Sequence, residues 1–173
     1  MSRLIYIAGG ARSGKSGYAQ QLAEQQTGEL LYIAPAQVLD DEMAERVELH
    51  RKTRGERWTL LEEPLQLTDH LPAAAQGKSA VLLDCVTIWL SNLFFHFDED
   101  PKPILAEVNR LVAIAQELPA PLYLVSNELG SGIVPEHKMA RSFRDLVGTV
   151  NQTLAKAADE AWLVVSGLPV KLK

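Results

Sequence analysis

The sequence is poor in the residues that form disulfides and protein-held metal centres. Cys85 is the single cysteine in 173 residues, which excludes an internal disulfide and any zinc site made of several cysteines. The four histidines, at positions 50, 70, 96 and 137, lack the close spacing of an HExxH or HxxxH motif. We therefore expect no metal held by side chains alone, and the cysteine content fits a reducing compartment.

Long apolar stretches and a surplus of basic residues are also missing. The run Leu4–Ala8 is too short for the core of a signal peptide. The longest apolar candidate, Ala80–Leu90, is interrupted by Asp84 and falls short of the roughly 18 residues of a membrane span. Seventeen Lys and Arg against twenty-two Asp and Glu leave a net charge of −5, which disfavours nucleic acid as the main partner. We expect a cytoplasmic protein without a membrane span.

The remaining composition is that of one globular domain over residues 1–173, with 47% apolar and 23% charged residues. Short, continuous apolar runs are typical of strands buried on both faces, and they occur at Leu4–Ala8, Leu30–Ala34, Trp58–Leu61, Ala80–Cys85, Pro121–Ser126 and Ala161–Ser166. Segments of helical composition separate them, at 14–26, 40–56, 86–97, 101–118 and 136–159. Asp40 and Pro135 are candidate helix starts. The pattern predicts an α/β fold with a mostly parallel sheet flanked by helices.

A glycine-rich motif stands between the first predicted strand and the first predicted helix. It fits GxxxxGK[ST] and reads Gly9-Gly10-Ala11-Arg12-Ser13-Gly14-Lys15-Ser16. Glycines at these positions let backbone N–H groups converge on phosphate at a helix N-terminus, Lys15 adds positive charge, and the Ser16 hydroxyl can ligate Mg²⁺. The alternative is a glycine-rich turn that binds nothing.

Asp84 is the candidate for the second carboxylate that a phosphate loop requires. It ends the buried run Val81–Leu83, where such proteins place an acid directed at Mg²⁺. The alternative role, which does not exclude the first, is to cap the helix that begins near Val86. Cys85, beside it, is interpreted as a small core residue.

A histidine lies among basic residues on the predicted helix 40–56. Acidic residues begin this segment and basic residues end it, as the helix dipole favours, and His50 shares a face with Met43, Val47 and Arg54. A neutral imidazole can attack phosphorus, so a covalent nucleotidyl intermediate on His50 is conceivable. The alternative is a solvated basic turn. For His70, in a polar turn, and for His96 and His137, surface or capping roles are expected.

Two carboxylates, Glu62 and Glu63, follow the predicted strand that begins at Trp58. Ligand sites of α/β proteins collect at such strand ends, so at least one of them is a candidate for binding sugar hydroxyls or metal. The alternative is a pair of exposed loop carboxylates.

The chain resembles the bifunctional adenosylcobinamide kinase/adenosylcobinamide-phosphate guanylyltransferases along its whole length. The phosphate loop alone is shared by many folds, whereas the ordered set of motifs is specific. Beyond the loop, the motifs that carry the resemblance are Tyr32-Ile33-Ala34, Asp40-Asp41-Glu42-Met43, Arg46 with His50-Arg51, Trp58 with Glu62, Leu83-Asp84-Cys85, Ser126-Asn127-Glu128-Leu129-Gly130, Gly132-Ile133-Val134-Pro135-Glu136, Phe143-Arg144-Asp145 with Gly148 and Asn151-Gln152, and Ala158-Asp159-Glu160 with Val164-Val165-Ser166-Gly167.

The resemblance implies two reactions in a RecA-like P-loop domain. ATP or GTP would phosphorylate adenosylcobinamide, and GTP would then transfer GMP to adenosylcobinamide phosphate through His50, releasing pyrophosphate. It also implies Mg²⁺, held through the nucleotide by Ser16 and Asp84, and a homotrimer. The nucleotide contacts it implies are Gly9 to Ser16, Ala34, Pro35, Ala36, Arg51, Lys52, Thr53, Arg54, Glu62 and Asp84. Pro35 and His137 depart from the family's pattern, and Pro35 has no backbone N–H to donate.

Three other functions compete with this one. A simple small-molecule kinase would use the phosphate loop and Asp84 but would have no need of His50. A nucleotide-switched binding module would bind GTP without turnover. A RecA-like DNA motor would share the fold, but the acidic charge and the lack of interleaved aromatic and basic residues disfavour it.

Overall fold

The structure, a computed structural model, describes residues 3–36 and 55–173. Within these ranges the chain forms strands β1 (Leu4–Gly9), β2 (Leu30–Ala34), β3 (Trp58–Glu62), β4 (Ala80–Asp84), β5 (Leu122–Asn127), β6 (Glu160–Val165) and β7 (Leu168–Lys171). The helices there are α1 (Lys15–Glu24), α2 (Leu67–Ala74), α3 (Val86–His96), α4 (Pro101–Glu117) and α5 (Lys138–Ala157). All but the last two residues of the predicted helix 40–56, and its start signal Asp40, lie outside the described residues.

The seven strands form one sheet in the order β3-β2-β4-β5-β1-β6-β7. Every neighbouring pair is parallel except β6 and β7, which form an antiparallel hairpin. The predicted mostly parallel sheet is therefore confirmed. Because the strands β1 to β6 all run in one direction, their carboxyl ends meet at one edge, which we call the carboxyl edge.

Helices cover both faces of this sheet. Alternate residues of a strand point to opposite faces, and in β1 Tyr6 packs into the core on the side of α3, α4 and α5, while Ile7 packs into the core on the side of α1. All six residues of β1 are buried. In the first core Trp89 is fully buried, and in the second Ala19 and Ala23 bring α1 close to the sheet. Strand β1, from which the glycine-rich loop starts, is thus held between two packed layers.

The sequence patterns did not predict two of the elements. Helix α2 is only eight residues long and contains Pro72, which reads as a helix breaker, so the prediction of a polar turn around His70 is wrong. Strand β7 is a short, exposed edge strand. A two-residue turn, Ser166 and Gly167, connects it to β6. Their φ angles of 52° and 80° are of the kind that two-residue hairpin turns favour.

The remaining helices lie within two residues of their predicted bounds. Helix α5 begins at Lys138 with His137 as its N-cap, so Pro135 precedes the helix and does not start it. In the part of the chain that the structure describes, we find no helix long and apolar enough to cross a membrane.

Candidate active site

The glycine-rich loop joins β1 to α1, as its sequence predicts. Gly14 is the N-cap of α1, with a left-handed φ of 93°. The backbone N–H of Ser13 donates to the carbonyl of Gly10 at 3.3 Å, and that of Tyr18 donates to the carbonyl of Gly14 at 3.0 Å. The first turn of α1 has no acidic residue, so no side chain there opposes an anion at this helix N-terminus.

Lys15 points its charge back into this loop. Its side chain is buried, and Nζ donates a hydrogen bond to the carbonyl of Gly10 at 3.0 Å. Ser16, the next residue, is exposed in the first helical turn. The loop therefore combines an ammonium group, a hydroxyl group and a helix N-terminus, which are the groups that bind a triphosphate with its metal.

Gly9 is required because the loop packs tightly on β6. A Cβ at this position would lie 2.4 Å from Ser13 Oγ and 2.7 Å from the carbonyl oxygen of Val164. Ser13 Oγ is itself buried, and it has no hydrogen-bond partner among the described residues. A side chain at Gly9 would push the loop away from the sheet.

The hairpin turn between β6 and β7 supports the same loop from the other side. The N–H of Gly167 donates to the carbonyl of Ser13 at 2.8 Å, and a Cβ on Gly14 would lie 3.2 Å from the Cα of Gly167. The sequence pattern did not predict this contact, which joins residues more than 150 positions apart. The turn therefore supports the conformation of the loop.

Replacing Gly167 with alanine should affect the affinity for nucleotide more than it affects the free energy of unfolding. Its φ of 80° strains any L side chain, although no described residue lies within 4 Å of the added Cβ, so we expect a stability loss of about 1 kcal/mol. Gly77→Ala is the matched control, since Gly77 has a φ of 73° and open space as well. Calorimetry should give a raised Kd for GTP in Gly167→Ala only. Equal values of Kd in the two variants would show that the turn does not position the loop.

Asp84 ends β4 at the carboxyl edge. Its Oδ2 accepts a hydrogen bond from the Tyr32 hydroxyl at 3.1 Å. Its alternative role as the helix N-cap is wrong, because Cys85 is the N-cap of α3. Asp84 and Lys15 both lie close enough to influence the Cys85 thiol electrostatically. The fold therefore brings the two charged residues that the sequence singled out to one place.

Cys85 is a core residue, as expected. Its side chain is buried, and burial, followed by the charge of Asp84, raises the pKa of the thiol. Backbone hydrogen bonds and Lys15 oppose this effect without reversing it. A thiol with a raised pKa is a poor nucleophile.

A buried polar network, which the sequence did not predict, holds the end of β5. Ser126 Oγ donates to Asn151 Oδ1 at 2.7 Å, Asn151 Nδ2 donates to the carbonyl of Asn127 at 3.1 Å, and the N–H of Asn127 donates to Thr87 Oγ1 at 2.9 Å. The N–H of Glu128 then donates to the carbonyl of Gly9 at 3.0 Å. The signal available in the sequence was the occurrence of polar residues at the ends of apolar runs. The network attaches the segment after β5 to the phosphate loop.

Glu62 and Glu63 have different roles. Glu63 is buried, and its Oε1 accepts hydrogen bonds from the N–H groups of Leu65 and Gln66 at 3.0 and 2.8 Å, while its Oε2 pairs with His70 Nδ1 at 2.5 Å. Glu62 is exposed at the end of β3. Of the two candidates, Glu62 is thus the one that faces outward at the carboxyl edge, and Glu63 shapes the loop behind it.

Glu63→Gln should lower the free energy of unfolding at neutral pH and leave it almost unchanged at acidic pH. Burial raises the pKa of this carboxyl, but the backbone hydrogen bonds and His70 outweigh it, so the pKa is lower in the folded protein. Its contribution to stability is therefore present above the ordinary carboxyl pKa of about 4.3 and is lost as pH falls through the lowered value. Urea unfolding should show a loss of about 1 kcal/mol at pH 7 and almost none at about pH 2. Glu62→Gln is the matched control, and an equal loss at both pH values would contradict this explanation.

Several predicted site residues lie outside the described residues, namely His50, Arg51, Lys52, Thr53 and Arg54. Ala34 ends β2 at the carboxyl edge, and Pro35 and Ala36 follow it. The carbonyl of Ala34 accepts from the N–H of Glu63 at 3.1 Å, and that of Pro35 accepts from Asn92 Nδ2 at 2.7 Å. Both carbonyls are thus engaged within the protein.

The other histidines have structural surroundings. His96 ends α3, is exposed, and packs edge-on against Phe97 with a ring centroid distance of 4.7 Å. His137 is the N-cap of α5 but makes no side-chain capping bond. Within residues 3–36 and 55–173, we find no group of three or more His, Cys, Asp or Glu that could hold a metal ion.

The sheet order and the loop define a P-loop α/β fold of the RecA-like type. The fold is similar to that of the RadB recombinase, with a TM-score of 0.55 over 93% of this chain and 73% of that one, at 16% identity. At that identity the likeness concerns the fold alone. The predicted fold class is confirmed.

Comparison of sequences identifies the family. The model of the family described as cobinamide kinase / cobinamide phosphate guanyltransferase matches residues 5–172. The chain is 47% identical to the bifunctional adenosylcobalamin biosynthesis protein CobU of Escherichia coli, over 98% of this chain and 99% of that one. It is 41% identical to the protein CobP of Pseudomonas aeruginosa, which bears the same bifunctional description, over 96% and 95%. The chain therefore belongs to this family and is a kinase and a guanyltransferase of cobalamin biosynthesis.

Proposed function

We propose that the glycine-rich loop carries the triphosphate in the kinase reaction, in which ATP or GTP phosphorylates the alcohol of adenosylcobinamide. The observation that carries this proposal is the strand-loop-helix geometry with Lys15 buried against the loop. Phosphoryl transfer depends on positioning the triphosphate and neutralising its charge. Lys15 and the N-terminus of α1 supply both.

Mg²⁺ fits the residues at this edge. Ser16 presents its hydroxyl group in the first turn of α1, and Asp84 ends β4 at the same edge, where its Oδ2 accepts from the Tyr32 hydroxyl. Both are hard oxygen donors of the kind that Mg²⁺ prefers when it also binds phosphates. The ion would supply charge neutralisation on the transferred phosphoryl group. In our proposal Ser16 and Asp84 hold it through the nucleotide.

In the second reaction, His50 acts as the nucleophile. The imidazole nitrogen attacks the α-phosphorus of GTP, the bond to the β-phosphate breaks, and pyrophosphate leaves. An oxygen of adenosylcobinamide phosphate then attacks the same phosphorus, and the bond to His50 breaks to give adenosylcobinamide-GDP. Glu62, Ala34 to Ala36 and the basic residues Arg51 to Arg54 complete the proposed GTP contacts.

The geometry of the sheet supports a single extended site. Among the described residues, the proposed contacts lie at or directly after the ends of β1, β2, β3 and β4. These ends share the carboxyl edge, with β5 between β4 and β1, and ligands of open α/β sheets bind at such an edge. We further propose one domain over residues 1–173, a cytoplasmic location and a homotrimer. The acidic net charge of −5 favours the small-molecule substrate over nucleic acid.

Product analysis tests the proposal directly. The protein is incubated with Mg²⁺ and adenosylcobinamide, first with ATP alone and then with added GTP, and the corrinoids are separated by chromatography. We expect adenosylcobinamide phosphate in the first incubation and adenosylcobinamide-GDP with pyrophosphate in the second. Conversion that stops at the phosphate with both nucleotides present would favour a simple kinase, and GTP binding without any product would favour a binding module.

A further inference from the structure

We propose that Glu128 is the general base of the phosphorylation step, the group that accepts the proton of the acceptor hydroxyl. This inference rests on the proposed function, because it assigns a residue to the kinase reaction at the glycine-rich loop. Glu128 belongs to the Ser126 to Gly130 motif, which neither the loop nor the metal site uses.

Glu128 follows the strand that separates the two halves of the site. Strand β5 lies between β1, which leads into the glycine-rich loop, and β4, which ends at Asp84. Neighbouring strands are about 4.8 Å apart, so the end of β5 is one strand spacing from each. Glu62 ends β3, four strand positions from β1, or roughly 19 Å away. Of these two carboxylates at strand ends, Glu128 is the one beside the loop.

The backbone of Glu128 is attached to the loop itself. Its N–H donates to the carbonyl of Gly9 at 3.0 Å. The preceding residue, Asn127, is held on both its N–H and its carbonyl by the buried side chains of Thr87 and Asn151. A general base must be held in place relative to the reacting atoms, and this network provides that rigidity.

The Glu128 carboxylate retains the capacity to accept a proton. The Glu128 side chain is half-buried. Its Oε1 accepts a hydrogen bond from the N–H of Gly130 at 2.6 Å, and Oε2 is not part of this bond. Asp84 is less suited to this role, because it is proposed to hold Mg²⁺. Glu128 also contributes, after burial, to the raised pKa of Tyr6.

The step balances without any further reactant. The hydroxyl oxygen of the acceptor forms a bond to the γ-phosphorus as its O–H bond breaks, and the proton passes to the carboxylate of Glu128. The bond between the γ-phosphorus and the bridging oxygen breaks, and its electron pair leaves with the nucleoside diphosphate. The guanylyl step needs no such base, because the acceptor phosphate is already an anion.

The variant Glu128→Gln distinguishes the phosphorylation step, which needs a base, from the guanylyl step, which does not. The glutamine amide oxygen can still accept from Gly130, so the loop should keep its conformation. We expect kcat for phosphorylation to fall about 100-fold or more, with KM for ATP changed less than about twofold. GMP transfer to supplied adenosylcobinamide phosphate should continue at the wild-type rate. Glu136→Gln, an exposed carboxylate of the same loop, is the matched control and should change neither reaction.

Each outcome decides the assignment. A kcat within about threefold of wild type overturns the role of Glu128 as base. An equal loss of both reactions, or a rise in KM for ATP that matches the loss of kcat, also overturns it, because Glu128 would then act on the loop. If the wild-type protein does not phosphorylate adenosylcobinamide, the proposed function fails and this inference fails with it. If the wild type is active and Glu128→Gln is equally active, only this inference fails.

Discussion

Lys15→Met is expected to lower kcat/KM for the kinase reaction by about 100-fold or more, the size of effect seen when one preorganised charge is removed from a site of this kind. Lys15 is buried, and its ammonium lies against the carbonyl of Gly10 inside the loop. Methionine preserves the length and packing of the side chain but removes the charge that opposes the phosphates. Because the proposed GTP site includes the same loop, GMP transfer should fall as well.

Steady-state kinetics of both reactions would test this prediction, with Lys102→Met as the control. Lys102 is an exposed lysine in the first turn of α4, remote from the loop in sequence. Circular dichroism should show that Lys15→Met is folded. A folded Lys15→Met protein with a kinase kcat/KM within about threefold of wild type would remove the loop from the kinase mechanism. Loss of kinase activity with full guanylyl transfer would instead show two separate nucleotide sites.

His50→Ala is expected to abolish guanylyl transfer and to spare phosphorylation. Alanine cannot form the bond to phosphorus on which our two-step transfer depends, and loss of a covalent nucleophile lowers kcat by several orders of magnitude, about 10⁶-fold in a well-studied serine enzyme. The phosphoryl group in the kinase step passes directly to the hydroxyl. With ATP, GTP and adenosylcobinamide present, the variant should therefore accumulate adenosylcobinamide phosphate.

The control for His50→Ala is His96→Ala. His96 is an exposed residue at the end of α3 that contacts Phe97, and we assign it no role in either reaction. Chromatography of the corrinoid products distinguishes the outcomes. If His50→Ala still forms adenosylcobinamide-GDP at the wild-type rate, the covalent mechanism is wrong.

The parts of the fold that depend on local pattern were predictable. The spacing of a few neighbouring residues predicts the strand that leads to Gly9, the glycine-rich loop and the helix that begins at Lys15. The continuous apolar runs likewise indicated buried parallel strands, since only strands covered on both faces are apolar throughout. Asp84 was found because it directly ends such a run.

The parts that depend on contacts between distant residues were not predictable. The bond from Gly167 to Ser13 and the contact from Glu128 to Gly9 join segments brought together by the order of the strands, which no local pattern contains. The buried partners of Glu63 likewise distinguish it from Glu62, although the two carboxylates are adjacent in the sequence. Helix α2 was missed because it is short and contains Pro72.

The covalent intermediate on His50 is the central claim, and labelling tests it most directly. Wild-type protein and His50→Ala are incubated with Mg²⁺ and GTP radiolabelled at the α-phosphate, then run on a denaturing gel before and after acid treatment. We predict an acid-labile label on the wild type and none on a folded variant that still binds GTP. No label on the wild type, or equal label on both proteins, would contradict the claim and leave a simple P-loop kinase as the better description.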